Sequence, residues 1–331
     1  MITPQTDPTD FKPVQQIRPA APRSVSESAQ TFLDLPNPYE ALSVVVPDLD
    51  DVEGWDRHII ERDAPVRDVF APLMPGDGVV ERHTEIFNGV PTFVLQPTET
   101  SQNSRALFLE IHGGALIQCG GDLAWMLAMP AAMERAGVTW VPDYRMPPRN
   151  PYPAALEDCV AAYRKALEVR RPNEIIISGG SAGGNLAAAS LLKARAQGLP
   201  MPAGLVLISP ELDLTESGDS FRTNLGIDTL GSLVTESRLY AAGHDLADPY
   251  LSPLFGDVSG FPPTFLMCGS REIFLSNTIR MHRKLLTAGV RAELHVLEAM
   301  PHGGFGGTSP EDKVANAEVR RFERDRLNAV K

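Results

Sequence analysis

The stretch IIISGGSAGGN, residues 175–185, places one serine inside a glycine cluster that ends an apolar run. Residues 175–178 predict a short buried strand, and a helix is predicted to start directly after the serine. A turn this sharp needs small residues because the backbone folds back on itself. The alternative is a glycine-rich turn that only packs helix on sheet or holds a phosphate, but the spacing fits neither the dinucleotide nor the P-loop fingerprint. The stretch therefore predicts a nucleophile elbow with Ser181 at its tip.

The rest of the chain predicts a parallel sheet around this elbow. Short apolar segments alternate with helical ones, which is typical of a parallel sheet covered by helices on both faces. Ahead of them, Asn88-Gly89 joins two alternating segments and predicts a β-hairpin. Strands are predicted at 79–86, 90–97, 105–111, 137–145, 174–178, 203–209, 263–269 and 291–297, and helices at 154–170, 182–198 and 276–288.

The segment near 213–250 breaks this alternation with polar and small residues. We interpret it as an insertion above the carboxyl-terminal edge of the sheet, where it forms a helical cap together with residues 26–75. Residues 76–212 and 251–331 are then expected to form the main α/β domain. Residues 1–25, which are rich in proline and polar side chains, are expected to be a disordered arm.

Composition argues against several classes of partner. The net charge of −12 would repel a nucleic-acid backbone. No run of about 18 apolar residues could span a bilayer. The amino terminus lacks the apolar core of a secretory signal. The number of cysteines, three, is odd, and all three lie among apolar residues. No metal-binding spacing is present. We therefore expect a cytoplasmic protein with buried thiols and without a metal, a cofactor, a membrane span or a nucleic-acid partner.

A nucleophilic serine needs a base, which in this type of fold follows late in the chain. Three histidines lie after Ser181 and near predicted strand ends. His282 falls within a predicted helix, and His295 lies inside a predicted strand. His302, in AMPHGGF, follows the last strand directly, which is where a base can reach the elbow. His302 is therefore the predicted base.

The acid that orients this base is predicted in the loop CGSREIFLSN. Glu272 is the only carboxylate of that loop, and it would accept the ring N–H of His302. As an alternative, Glu272 could pair with Arg271 or cap the following helix. Asp257 is the nearest competing carboxylate, but it precedes the strand.

Donors for a developing oxyanion are predicted after the strand at 105–111. The sequence IHGGA places Gly113 and Gly114 there, where glycine allows backbone N–H groups to approach a substrate oxygen. The N–H of Ala182 would be a further donor, and His112 is interpreted as a residue that braces the loop. Three apolar residues beyond the loop are candidates for the substrate pocket or, equally, for core packing: Leu116, Trp125 and Met126.

With HGG, GGSAG, a late acid and a late histidine in this order, the chain resembles the hormone-sensitive lipase-like branch (bacterial family IV) of the α/β-hydrolases. Further matches are DYRMPPRNPYPAALED, ISPELDLT, YLSPLFGD and PPTFLMCGSRE. The resemblance implies an α/β-hydrolase fold with a mostly parallel eight-stranded sheet, flanking helices and a helical cap. It places the family's triad on Ser181, Glu272 and His302, and its oxyanion donors on the His-Gly-Gly loop and Ala182.

By this resemblance the chain is expected to be a serine hydrolase that cleaves carboxylic esters through an acyl-enzyme intermediate. Its partner would be a small-molecule ester with a short- to medium-chain acyl group or a small aryl or alkyl group. A lactonase or amidase with the same triad is an open alternative, as is a hydrolase homologue that binds a small ligand without turnover. Members of this branch often dimerise through the sheet edge, so a homodimer is also open.

Four positions depart from the family pattern. Ala115 replaces the third glycine of the oxyanion loop, and Gly180 precedes the nucleophile where Asp or Thr is usual. Glu272 is the predicted acid where Asp is commoner; its longer side chain changes how far the carboxylate reaches more than it changes the chemistry of that group. Arg149 stands where the family usually carries Glu, so the contacts of that acid must be replaced by others here.

Overall fold

A computed structural model describes residues 18–37, 46–99 and 104–328 of the chain. Within these residues one sheet has eight strands. They are β1 (Val80–Phe87), β2 (Val90–Pro97), β3 (Leu107–Ile111), β4 (Val138–Pro142), β5 (Ile175–Gly180), β6 (Gly204–Ile208), β7 (Thr264–Gly269) and β8 (Ala292–Leu297). The helices of the described residues are α1 (Glu27–Asp34), α2 (Val52–Phe70), α3 (Asp122–Glu134), α4 (Ala154–Val169), α5 (Ala182–Ala196), α6 (Ser220–Thr223), α7 (Val234–Ala241), α8 (Leu275–Thr287) and α9 (Pro310–Asn328).

The strand order is β1-β2-β4-β3-β5-β6-β7-β8. β1 and β2 form an antiparallel hairpin, and β2 also pairs antiparallel with β4. From β4 to β8 every neighbouring pair is parallel. At the hairpin turn, Asn88 and Gly89 both have positive φ, as a tight two-residue turn requires. The predicted hairpin and the predicted mostly parallel eight-stranded sheet are confirmed.

Strand β5 lies in the middle of the sheet and is covered on both faces. Ile175 and Ile177 point into the core that contains side chains of α4 and α5. Ile176 points to the other face, where it packs with Val319 and Phe322 of α9. All three isoleucines are fully buried, and each buried side chain of this size stabilises the fold by about 1.5–3 kcal/mol. The elbow therefore follows a strand that is buried on both faces.

Helices α2 and α7 lie over the loop that follows β3. Trp55 of α2 is fully buried and packs with Ile117 of the loop and Leu239 of α7. The carboxylate of Asp63 in α2 accepts the backbone N–H of Cys119 at 3.0 Å. These contacts agree with a cap formed by parts of both predicted segments, although the domain boundaries themselves stay a prediction.

Helix α1 packs against the loop after β8. Leu33 and Val25 form an apolar cluster with Ala299, Met300 and Phe305. Of the predicted arm of residues 1–25, residues 1–17 lie outside the described residues, and residues 18–25 are described. Within residues 18–25, the carbonyl of Ala20 accepts a hydrogen bond from the Arg271 side chain at 2.8 Å.

Two further properties concern the class of the protein. In the portion of the chain covered by the structure, no helix combines the length and apolar character needed to cross a membrane. The three cysteines are free and buried, as predicted. Burial raises the pKa of the Cys119 and Cys268 thiols to about 12, so neither is a thiolate at neutral pH.

Candidate active site

Ser181 lies between β5 and α5 with φ 55° and ψ −125°, a conformation that L-residues rarely adopt. Such strain costs about 1–3 kcal/mol and is found mainly at functional sites. The turn is tight enough that a Cβ on Gly183 would lie 2.0 Å from the carbonyl oxygen of Ile111. The serine N–H donates to the carbonyl of Ile208 at 2.9 Å, which ties the turn to β6. The geometry is that expected of a nucleophile elbow.

The position before the serine has more room. A Cβ on Gly180 would meet nothing closer than the Ile208 carbonyl oxygen, at 3.6 Å, which is an ordinary van der Waals contact. A side chain would therefore fit there, and the structure gives no packing reason for glycine at this departure from the family pattern.

The loop after β3 lies directly against the elbow. A Cβ built on Gly113 would be only 3.3 Å from the Cβ of Ser181. Gly114 has φ +120° and its carbonyl accepts the N–H groups of Ile117 and Gln118 at 3.0 and 2.9 Å, so the loop turns back on itself. Ala115 also has positive φ, 51°, in spite of its Cβ.

Three backbone N–H groups near the elbow have no acceptor within the part of the chain that the structure describes. They belong to Gly113, Gly114 and Ala182. Ala182 is the first residue of α5, where N–H groups are free of intrahelical partners and the helix dipole favours negative charge. These groups are the donors that the sequence predicts for an oxyanion.

His112 braces the loop. Its imidazole stacks on the Tyr144 ring with centroids 4.0 Å apart, and its Nδ1 lies 2.8 Å from the carbonyl oxygen of Gly113, to which it donates. The Tyr144 hydroxyl donates to the His112 carbonyl at 2.8 Å. Burial lowers the pKa of His112 to about 4, although the hydrogen bond to Gly113 opposes the shift. The ring is therefore neutral near pH 7, as a bracing residue requires.

Glu272, in the loop after β7, faces His302, in the loop after β8. The Glu272 side chain is fully buried, and one carboxylate oxygen accepts the Ser209 hydroxyl at 2.8 Å and the Gly269 N–H at 2.6 Å. Its other oxygen lies 3.4 Å from Nδ1 of His302. Such bonds are often long without substrate and shorten in the reacting complex. The alternative pairing of Glu272 with Arg271 is not observed in the described structure, where Arg271 bonds the Ala20 carbonyl.

The pKa of His302 is raised above its usual value. Burial lowers this pKa, but the hydrogen bond and charge of Glu272, together with the charge of Asp228, outweigh burial. The ring of Phe274 contacts the imidazole edge-on, with centroids 5.3 Å apart. His302 is thus set up to hold a proton more firmly than a free histidine does.

A short chain of hydrogen bonds connects the elbow to this pair. The Ser181 N–H binds the carbonyl of Ile208, the next residue Ser209 donates to Glu272, and Glu272 faces His302. The structure therefore brings the three predicted residues to the same end of the sheet.

Arg149, which departs from the glutamate of the family pattern, contacts helix α2. Its guanidinium makes two hydrogen bonds to the Asp56 carboxylate, at 2.5 and 2.7 Å.

The three pocket candidates make the contacts of packed residues. Leu116 is fully buried in the main core. Met126 packs with Cys119 and Leu123. Trp125 donates to the Asp122 carboxylate and carries the Arg82 guanidinium over its ring at 4.2 Å. Of the two roles that the sequence left open, core packing is the one these contacts describe, and a role in the pocket stays a prediction.

Sequence analysis missed two buried carboxylates near the site. The backbone N–H of Glu211 donates to the Ser181 carbonyl at 3.1 Å, and its side chain is 3% exposed. Asp228, in the segment near 213–250, accepts N–H groups from the loops of both His302 and Glu272. Asp228 lies outside the quoted motifs, and Glu211 lies within ISPELDLT at a position to which the sequence analysis assigns no role. In the described ranges no cluster of His, Cys, Asp and Glu has the composition of a metal site.

Comparisons with known proteins agree with this geometry. A family model described as the α/β-hydrolase fold matches residues 108–305. An esterase from Acinetobacter venetianus is 33% identical over 271 residues, which are 78% of this chain and 86% of that protein. An acetyl-hydrolase from Streptomyces hygroscopicus is 37% identical over 193 residues, 57% of this chain and 64% of the relative.

Solved structures are similar over nearly the whole chain. The crystal structure of an esterase named E25 has a TM-score of 0.85 and 32% identity, and the match covers 95% of this chain and 98% of that one. A hormone-sensitive lipase from a metagenome library has a TM-score of 0.80 and 32% identity, with 91% and 98% covered. The sequence motifs and the sheet order of this chain, together with these matches, show that the chain belongs to the α/β-hydrolase family, in the hormone-sensitive lipase-like branch.

Proposed function

We propose that the protein is a serine hydrolase that cleaves carboxylic esters through an acyl-enzyme intermediate. Ser181 is the nucleophile, His302 the general base and Glu272 the acid that orients it. The observation that carries the proposal is the position of the strained Ser181 relative to the acid and the base: its N–H bonds the Ile208 carbonyl, and the following residue, Ser209, donates to the Glu272 carboxylate that faces His302. The relatives named esterase and acetyl-hydrolase support the same reaction class.

The first half of the reaction forms the acyl-enzyme. Ser181 Oγ attacks the ester carbonyl while its proton passes to Nε2 of His302. The carboxylate of Glu272 accepts a hydrogen bond from the Nδ1–H of His302 and stays ionised, which fixes the tautomer and stabilises the imidazolium. The carbon–oxygen bond to the leaving alcohol then breaks, and His302 returns its proton to that oxygen.

The second half uses water as the nucleophile. His302 takes a proton from water, the hydroxide attacks the acyl carbonyl, and the proton is delivered to Ser181 Oγ as the acid leaves. Both tetrahedral intermediates carry a negative oxygen. The N–H groups of Gly113, Gly114 and Ala182 would bind it, and each such donor contributes about 2.7–4 kcal/mol to transition-state stabilisation.

We infer small acyl or alkyl esters as the substrate class. Helix α2 packs on the loop that carries Gly113 and Gly114, where Trp55 and Ile117 are buried together, so we expect this helix to border the substrate. The relative named acetyl-hydrolase has a short acyl group in its name. Lactones and amides would use the same residues, and matched ester and amide substrates would separate these activities.

The test compares p-nitrophenyl acetate, butyrate and octanoate as substrates of the wild type and of Ser181→Ala. We expect the variant to fold and to lose nearly all turnover. Ser190→Ala is the matched control, because Ser190 lies on the same helix, is buried, and its hydroxyl has no partner among the described residues. Turnover at wild-type level in Ser181→Ala would contradict the proposal. Normal folding without turnover in any variant or the wild type would instead favour a binding protein.

A further inference from the structure

Asp228 connects the two loops that carry the acid and the base. Its Oδ1 accepts the backbone N–H of His302 at 2.8 Å and that of Thr229 at 2.7 Å. Its Oδ2 accepts the N–H of Ile273, the residue after Glu272, at 2.8 Å. The side chain is 4% exposed, so the carboxylate forms these bonds away from solvent.

Thr229 adds a bond from the opposite direction. Its hydroxyl donates to the carbonyl of His302 at 3.0 Å, so the N–H and the carbonyl of the same residue are both held by one dipeptide. The Thr229 carbonyl in turn accepts the side-chain amide of Asn37 at 2.9 Å. The loop contains glycines at 303, 304, 306 and 307. These bonds therefore add to the apolar packing of Met300 and Phe305 in fixing the backbone around His302.

We propose that Asp228 is a positioning residue that sets the distance and orientation between Glu272 and His302 during ester hydrolysis. This inference rests on the proposed function. Its physical basis is that a carboxylate with two acceptor oxygens can hold two separate loops at a fixed separation. A displacement of about 1 Å at reacting groups can reduce turnover about 100-fold.

The charge of Asp228 has a second consequence. Two carboxylates, Glu272 and Asp228, act on the imidazole of His302 and favour its protonated form. Removal of the Asp228 charge should therefore lower the pKa of His302. The base would then stay deprotonated to lower pH, and the acid limb of kcat/KM would move in that direction.

The test measures kcat, KM and the acid limb of kcat/KM for Asp228→Asn, Asp228→Ala and Thr229→Val with p-nitrophenyl acetate. Asp228→Asn keeps the shape but loses the charge and one acceptor. We expect its kcat to fall about 10-fold and its acid limb to move to lower pH. Asp228→Ala should lose about 100-fold in kcat while KM changes less than about threefold. Thr229→Val should reduce kcat without moving the acid limb.

Asp219→Asn is the matched control, because it removes a charge from an exposed residue of the same segment. It should leave kcat and the acid limb at wild-type values. A wild-type kcat and acid limb in Asp228→Asn would overturn the inference, and so would a lower melting temperature with an unmoved limb, which indicates a structural role only. If Asp228→Ala does not fold, Asp228→Asn and Thr229→Val decide the question. Retained activity in Ser181→Ala would contradict the proposed function itself and is a separate outcome.

Discussion

On the Ser181 side of the site, backbone packs directly on backbone, whereas on the His302 side polar side chains hold the loops in place. Gly183 and Gly113 approach their neighbours so closely that added Cβ atoms would lie 2.0 and 3.1 Å from carbonyl oxygens. Glu272 is instead fixed by a hydrogen bond that it accepts from the Ser209 hydroxyl, and His302 by the bond that its backbone N–H donates to Asp228. The Ser181 side of the site depends on residues that are close in sequence or belong to adjacent strands. The His302 side depends on residues that are distant in sequence and are brought together by the whole fold.

The difference predicts two kinds of failure. A change at Gly113 or Gly183 on the serine side should disturb packing, because an added Cβ has no free space at those positions. A change on the histidine side should leave packing largely intact but alter charge, proton transfer and pH dependence. The variants below separate these effects, in order of decreasing expected loss of turnover.

The largest effect is expected on the histidine side from Glu272→Gln. The amide keeps the shape of the side chain, but it cannot hold the Nδ1 proton of His302 as a carboxylate does, so the imidazole loses its working tautomer and the charge that stabilises it. By analogy with the corresponding change in other triads, kcat should fall about 10,000-fold. Steady-state kinetics measure the loss, and circular dichroism should show an unchanged fold. A loss below about 10-fold would mean that another residue is the acid.

Gly113→Ala should cost less turnover and act by another route. The new Cβ would lie 3.1 Å from the Gly180 carbonyl oxygen and 3.3 Å from the Ser181 Cβ, so the loop must shift away from the elbow. Displacement of one oxyanion donor should reduce kcat about 100- to 1,000-fold.

Gly180→Ala is the control for that change, because its Cβ would meet only an ordinary contact at 3.6 Å. Its kcat should stay near the wild-type value. If both alanine variants lose activity equally, close packing of the oxyanion loop is not the reason. If neither does, the loop does not supply the donors.

The pH dependence of kcat/KM tests the His302 side of the site without a mutation. Because burial of His302 is outweighed by Glu272 and Asp228, its pKa lies above the ordinary value of 6.5. The base is active when neutral, so kcat/KM should fall as pH decreases through a midpoint above 6.5. A pH–rate profile measures this midpoint. An acid limb well below 6.5 would show that the carboxylates do not act on the base.

The smallest effect is expected from Arg149→Ala. Its bonds to Asp56 join the loop before α4 to helix α2, but Arg149 is largely exposed to solvent. Surface ion pairs contribute little because water and salt screen them. Turnover and melting temperature should both stay close to the wild-type values. A large drop in turnover would show that this pair positions the cap.

The same division explains how far the sequence could predict the site. Ser181, Gly113 and Gly114 belong to local motifs, because a sharp turn or a close backbone approach restricts the residue type at those positions. His302 and Glu272 are predicted from chain order and from the loops after predicted strands. The roles of Asp228 and Glu211 could not be predicted, because their contacts join segments that are distant in sequence. The sequence alone does not distinguish these two residues from other polar residues of the same segments. Helix α1 shows the same limit, since no pattern indicates that it covers the His302 loop.

The measurement closest to the central claim is a crystal structure of the protein after reaction with a fluorophosphonate. We predict phosphorus bonded to Ser181 Oγ, the phosphoryl oxygen within hydrogen-bond distance of the N–H groups of Gly113, Gly114 and Ala182, and Nε2 of His302 within about 3.2 Å of the serine oxygen. An adduct on a different residue would contradict the account, as would an imidazole of His302 that does not reach the modified serine.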